Sequence, residues 1–202
     1  MMKLYFARQT RAIRVAWLLE EMGLPYEIEM LKLGGQDMRG NDYRAIHPMG
    51  RVPVLEDGDV RIFESGAIIE YLLTRYDAKG LRPAVESSDY PAYLQWLHYC
   101  EGMIMPQVNI LTVETIFLPP ERRNEVNVKR ATKLLGQSLL PVEAHLDGRD
   151  FLAGDFSGAD IMIGSAVISA RRSQIDFDSL PNLRAYAERL SQRPAFQEAN
   201  TK

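Results

Sequence analysis

The chain has 202 residues, 46% hydrophobic and 25% charged, with no low-complexity tract, which marks a folded protein of one large or two small domains. Its net charge of -3, with lysine and arginine scattered, argues against nucleic acid, which needs a basic footprint. The single cysteine, Cys100, excludes an internal disulfide framework and any CxxC motif, so thiol chemistry here needs a borrowed thiol.

The opening MMKLYFARQTR carries no apolar signal-peptide core, and no stretch approaches the roughly 18 apolar residues of a membrane span. The expectation is a cytoplasmic protein with no membrane partner. Lys3 to Phe6 reads as a strand, and Ala12, Val15, Ala16, Leu19 and Met22 then form a helical stripe. Ile13, Trp17 and Leu18 lie off that stripe, so this helix needs cover from two directions. Gly23-Leu24-Pro25 stops it, and Tyr26 to Leu31 alternates apolar with acidic residues as a half-buried strand does. Lys32 to Met49 reads as a polar connection. Val52–Glu56 and Val60–Phe63 flank the hairpin turn Asp57-Gly58-Asp59, and a helix resumes at Ser65.

The order βαβ, loop, ββα is that of a thioredoxin-like α/β domain, expected over 1–77. Residues 78–88, with Gly, Pro and two Ser, read as a linker. From 89 to 202 only helical spacing appears, in segments 89–112, 121–146, 158–172 and 182–193, so an all-α domain follows. Ser157 and Asp160 have the spacing of an N-cap and its N3 carboxylate.

Two pairs of residues are placed for binding. Val52-Pro53 reads first as an ordinary edge turn, and also fits a cis-proline loop that leaves the Val52 N–H and C=O open to an extended peptide. Glu64-Ser65 taken alone reads as a plain helix cap, and it also suits an α-amino-acid end group. There the helix N-terminus attracts the carboxylate and Glu64 the ammonium.

In order and spacing these motifs resemble the glutathione transferase family. Ile46-His47-Pro48-Met49-Gly50-Arg51-Val52-Pro53-Val54-Leu55 is similar to its NPxGxVPxL segment, and Glu64-Ser65-Gly66-Ala67-Ile68 to its ES.AI segment. Gly154 to Ile161 resembles the capping-box signature of its helical domain, so the likeness spans essentially the whole chain. The resemblance implies glutathione as co-substrate, with Val52 pairing to its cysteinyl part, Glu64 and Ser65 holding its γ-glutamyl end, and Arg51 reaching its glycyl carboxylate. It also implies a homodimer that conjugates glutathione to small electrophiles.

The thiol activator departs from the family pattern, since Ala7 stands where many members have Ser. The run Thr10-Arg11-Ala12-Ile13-Arg14 is similar to a microbial branch that carries Ser-Arg-Ala-x-Arg, which makes Thr10 and Arg11 the catalytic candidates. A hydroxyl or backbone donor and a nearby cation both favour thiolate over thiol. Ala7, Tyr99 and Met103 are the candidates for an electrophile site. Without a strong single activator, a glutathione-dependent peroxidase or disulfide reductase, or a non-catalytic glutathione-binding protein, stays open. His47, His98 and His145 form no metal motif, so no metal is expected.

Overall fold

Two units make up the described residues, 1–171 and 175–202, of this computed structural model: Met1–Arg82 with Ser191–Lys202, and Pro83–Leu190. The final position of the expected 158–172 helix lies outside the described residues.

The first unit is thioredoxin-like. Its strands are β1 (Met2–Phe6), β2 (Tyr26–Met30), β3 (Val54–Asp57) and β4 (Val60–Phe63). They form one mixed sheet in the order β2-β1-β3-β4, with β1 parallel to β2 and the other pairs antiparallel. Leu4 and Leu55 face each other across β1 and β3, both fully buried, while edge strand β2 turns Glu27 and Glu29 to solvent. Helix α1 (Ala12–Met22) follows β1, and α4 (Ser65–Tyr76) follows β4. The β3–β4 hairpin is tied to α4 through the Asp57 carboxylate, which accepts hydrogen bonds from the hydroxyls of Tyr71 at 2.8 Å and Tyr76 at 2.5 Å.

The polar connection before β3 holds two short helices, α2 (Gln36–Arg39) and α3 (Asn41–Ile46). Each buries one anchor, Met38 and Tyr43, in a cluster with Tyr5 and Val54. One apolar anchor per helix is too weak a pattern to show as a stripe.

Trp17 and Leu18, off the main stripe of α1, are fully buried. Their cover is α10 (Pro194–Thr201), which packs along α1 with Phe196 edge-on to Trp17 at 4.8 Å between ring centroids. Arg193 grips the Glu21 carboxylate with two hydrogen bonds, at 2.6 and 2.9 Å, and the Trp17 indole donates to the same group. The expected all-helical domain ran to residue 202, but Ser191–Lys202 groups with the first unit. Helix α10 has eight residues and buries only Phe196 and Ala199, which is enough to close the second apolar side of α1.

The second unit is helical: α5 (Tyr90–Tyr99), α6 (Met105–Thr112), α7 (Glu125–His145), α8 (Gly158–Ala170) and α9 (Pro181–Ser191), the last ending at the unit's edge. Single π turns at Cys100–Ile104 and Val113–Phe117 flank α6. Among the described residues this unit holds no strand beyond an isolated bridge between Ala153 and Asp155. No described helix is long and apolar enough to cross a membrane.

Candidate binding site

The segment leading into β3 is stitched at several points. The His47 N–H donates to the Tyr43 carbonyl and the Gly50 N–H to the His47 carbonyl, both at 2.8 Å. The Met49 N–H donates to His47 Nδ1 at 3.1 Å, and the Tyr43 hydroxyl donates to the Arg51 carbonyl at 2.8 Å. Burial holds the His47 imidazole below its ordinary value, which keeps Nδ1 available as an acceptor. Gly50 has φ 58°, and a Cβ there would stand 2.2 Å from the Met38 carbonyl oxygen, so only glycine fits.

This stitching ends at Val52. The Val52-Pro53 peptide bond is cis and β3 begins at Val54. Val52 is half-buried, and among the described residues no hydrogen bond engages its N–H or C=O. The sheet thus presents an unpaired donor and acceptor beside the proline, the geometry on which an extended peptide can pair as a further strand.

Past the hairpin, the backbone turns sharply into α4. Glu64 has φ 76° and ψ 112°, a conformation that costs a non-glycine residue about 1–3 kcal/mol. Its carbonyl accepts the first helical bond, from the Ile68 N–H at 2.9 Å, and its side chain is exposed. The N–H groups of Ser65, Gly66 and Ala67 have no partner among the described residues, as the first turn of an uncapped helix leaves them. Ser65 is 3% exposed, and its Oγ accepts a hydrogen bond from Arg14 Nη1 at 3.1 Å.

Arg14 is the residue that sequence reasoning missed. It lies on α1 at 2% exposure, on a helix where a lone charge between apolar residues reads as solvent-facing. The one signal was its place at the end of the Thr10–Arg14 run.

Thr10 and Ala7 meet in the loop after β1. The Thr10 hydroxyl donates to the Ala7 carbonyl at 2.6 Å and accepts from the Ala12 N–H at 3.2 Å, so its proton is engaged within the loop. Its backbone N–H has no partner among the described residues. Ala7 is fully buried, so its methyl lines no open surface and its role is that of a carbonyl anchor. Arg11 is half-buried just ahead of α1, and Arg51 is exposed.

In the second unit Tyr99 is half-buried and donates its hydroxyl to the Ser138 carbonyl at 3.0 Å, and burial pushes its phenol up. Met103 is 52% exposed on the π turn that also carries Cys100. Cys100 packs as a fully buried group whose thiol donates to the Met162 carbonyl at 3.1 Å. Among the described residues no three His, Cys, Asp or Glu side chains converge as a metal ion would require.

A thioredoxin-like unit with an open strand edge at a cis-proline, continued by a helical unit, defines a class of thiol-using transferases. Residues 1–74 match the profile described as Glutathione S-transferase, N-terminal domain, and residues 105–194 that described as Glutathione S-transferase, C-terminal domain. The chain belongs to the glutathione S-transferase family and is a glutathione-dependent transferase. It is 32% identical to Glutathione S-transferase 3 of Zea mays, over 92% of this chain and 86% of that protein. With Glutathione S-transferase F10 of Arabidopsis thaliana it shares 30% identity over 98% and 94%. Among solved structures, a theta class glutathione S-transferase from Xanthomonas axonopodis pv. citri, with glutathione bound, superimposes with a TM-score of 0.87. That match is 28% identical and covers 100% of this chain and 97% of that one.

Proposed function

We propose that the protein conjugates the thiolate of glutathione to small electrophiles, as a cytoplasmic homodimer. The observation that carries this reading is the unpaired backbone of Val52 beside the cis-proline, with the uncapped start of α4 in the same unit. The cysteinyl residue of glutathione pairs with the Val52 N–H and C=O. Its γ-glutamyl carboxylate takes the free N–H groups at Ser65 and beyond, and Glu64 takes the ammonium. The exposed Arg51 serves the glycyl carboxylate. Thr10 contributes its backbone N–H to the thiolate and Arg11 its charge, and the rest of the rate comes from positioning. Tyr99 and Met103 serve the electrophile. The domains are assigned as 1–77 for glutathione binding, a linker over 78–88 and a helical domain over 89–202, whose last stretch, 191–202, groups with the first unit.

Calorimetric titration with glutathione, followed by turnover on an aromatic chloride, tests both halves. Micromolar to millimolar binding with conjugation supports the reading, and absence of binding overturns it. One observation favours a second reading as a glutathione-dependent peroxidase or disulfide reductase: the Thr10 hydroxyl is engaged with the Ala7 carbonyl, which weakens it as a single strong activator of the thiol. Faster turnover of a hydroperoxide or a mixed glutathione disulfide than of the chloride decides for it.

A further inference from the structure

Arg14 is 2% exposed, and one of its hydrogen bonds reaches Ser65, a residue assigned above to the γ-glutamyl end of glutathione. We propose that Arg14 is a positioning residue for the γ-glutamyl carboxylate, acting through Ser65. The proposal rests on the binding mode given above.

The direction of one hydrogen bond carries it. A guanidinium has donors and no acceptor, so at 3.1 Å Arg14 donates and Ser65 Oγ accepts. The serine hydroxyl has a single proton and cannot spend it on Arg14. Among the described residues Ser65 Oγ donates to nothing, although the residue is 3% exposed. The bond from Arg14 occupies a lone pair, fixes the position of Oγ and leaves the proton to donate, and Ser65 is the first residue of α4, beside the unpartnered N–H groups of that first turn. A carboxylate taken by those groups finds an additional O–H, polarised by the cation behind it.

The test compares two ligands on the full-length protein. One is glutathione, and the other is γ-aminobutyryl-Cys-Gly, which keeps the ammonium, thiol and glycyl end but lacks the α-carboxylate. Wild-type protein is expected to prefer glutathione. Arg14→Gln weakens glutathione by about 10- to 100-fold and the analogue by less than about twofold. Ser65→Ala loses the same preference, and the double variant loses no more than either single one. Arg14→Lys, which keeps a charge but not the planar fork, falls between wild type and Arg14→Gln, and carries the comparison if Arg14→Gln does not fold. A wild type that binds both ligands alike overturns the binding mode and the proposal with it. A wild type that discriminates, with the Arg14 variants discriminating equally well, overturns the proposal alone. So do equal losses for both ligands, which mark a purely structural arginine.

Discussion

Two helix starts, α8 in the second unit and α4 in the first, begin on serine and do opposite things. At α8 the Asp160 carboxylate is fully buried and accepts four hydrogen bonds. They come from the Ser157 N–H at 2.9 Å, the Ser157 hydroxyl at 3.1 Å, the Leu152 N–H at 3.0 Å and the Tyr186 hydroxyl at 2.8 Å. The carboxylate and hydroxyl of that start are spent on one another and on the fold, and the two N–H groups without a partner among the described residues, those of Gly158 and Ala159, belong to fully enclosed residues. At α4 the N–H groups of the first turn and the Ser65 hydroxyl proton stay unspent, and Glu64 is held at φ 76°. A helix start that closes on itself holds the fold, whereas one kept open at a conformational cost is available for binding.

The largest way to break this contrast is Asp160→Ala. It leaves the Tyr186 hydroxyl and two backbone N–H groups buried without partners, and is expected to cost about 3–5 kcal/mol in denaturant unfolding. A loss under about 1 kcal/mol would remove the closed cap from the account.

A pH series sharpens the same point. Burial pushes the Asp160 carboxyl up to about 6, against the hydrogen bonds that pull it down. A carboxyl raised in the folded state favours its protonated form there. Its contribution is therefore fully present below the unfolded value, 3.8, and declines as pH rises through about 6. Relative to Asp160→Asn, wild-type stability is expected to fall by on the order of 3 kcal/mol between pH 4 and pH 7, read from urea midpoints. A flat difference contradicts the raised value.

On the open side, Glu64→Gly separates folding from binding. Glycine takes φ 76° without strain, so unfolding free energy is held or raised by up to about 1 kcal/mol while glutathione affinity falls. Loss of stability with binding intact would make Glu64 an ordinary structural residue. The smallest effect is expected from Thr10→Ala, which removes a loop hydroxyl but keeps the N–H assigned to the thiolate. Turnover drops modestly, and further in Arg11→Ala. An unchanged pKa of the bound thiol in both variants takes Thr10 and Arg11 out of thiolate stabilisation.

The same contrast explains what could be read from sequence. Ser157 and Asp160 are three residues apart, so their cap is a local pattern, and the order of the four strands with α1 and α4 followed from periodicity and turn residues. At the candidate site, Val52-Pro53 and Glu64-Ser65 stood out because backbone geometry at a proline or a helix start is a local property. Arg14 did not, because its partner Ser65 lies 51 positions away and no spacing rule connects them. The Thr10 hydroxyl was legible as a group at a helix entrance, but its acceptor was not, because the bond to the Ala7 carbonyl depends on how the loop between them folds. Helix α10 was hidden because the need it meets, the second apolar side of α1, is written nearly 180 residues earlier in the chain.

The burial of Cys100 has a practical consequence at the bench. It is the chain's one cysteine and is fully enclosed, so the native protein presents no thiol of its own to a thiol-selective alkylating reagent or a chromogenic disulfide. Any thiol signal from a folded, ligand-loaded sample then reports the ligand, and a protein signal that emerges over time is a clock for unfolding of the helical unit.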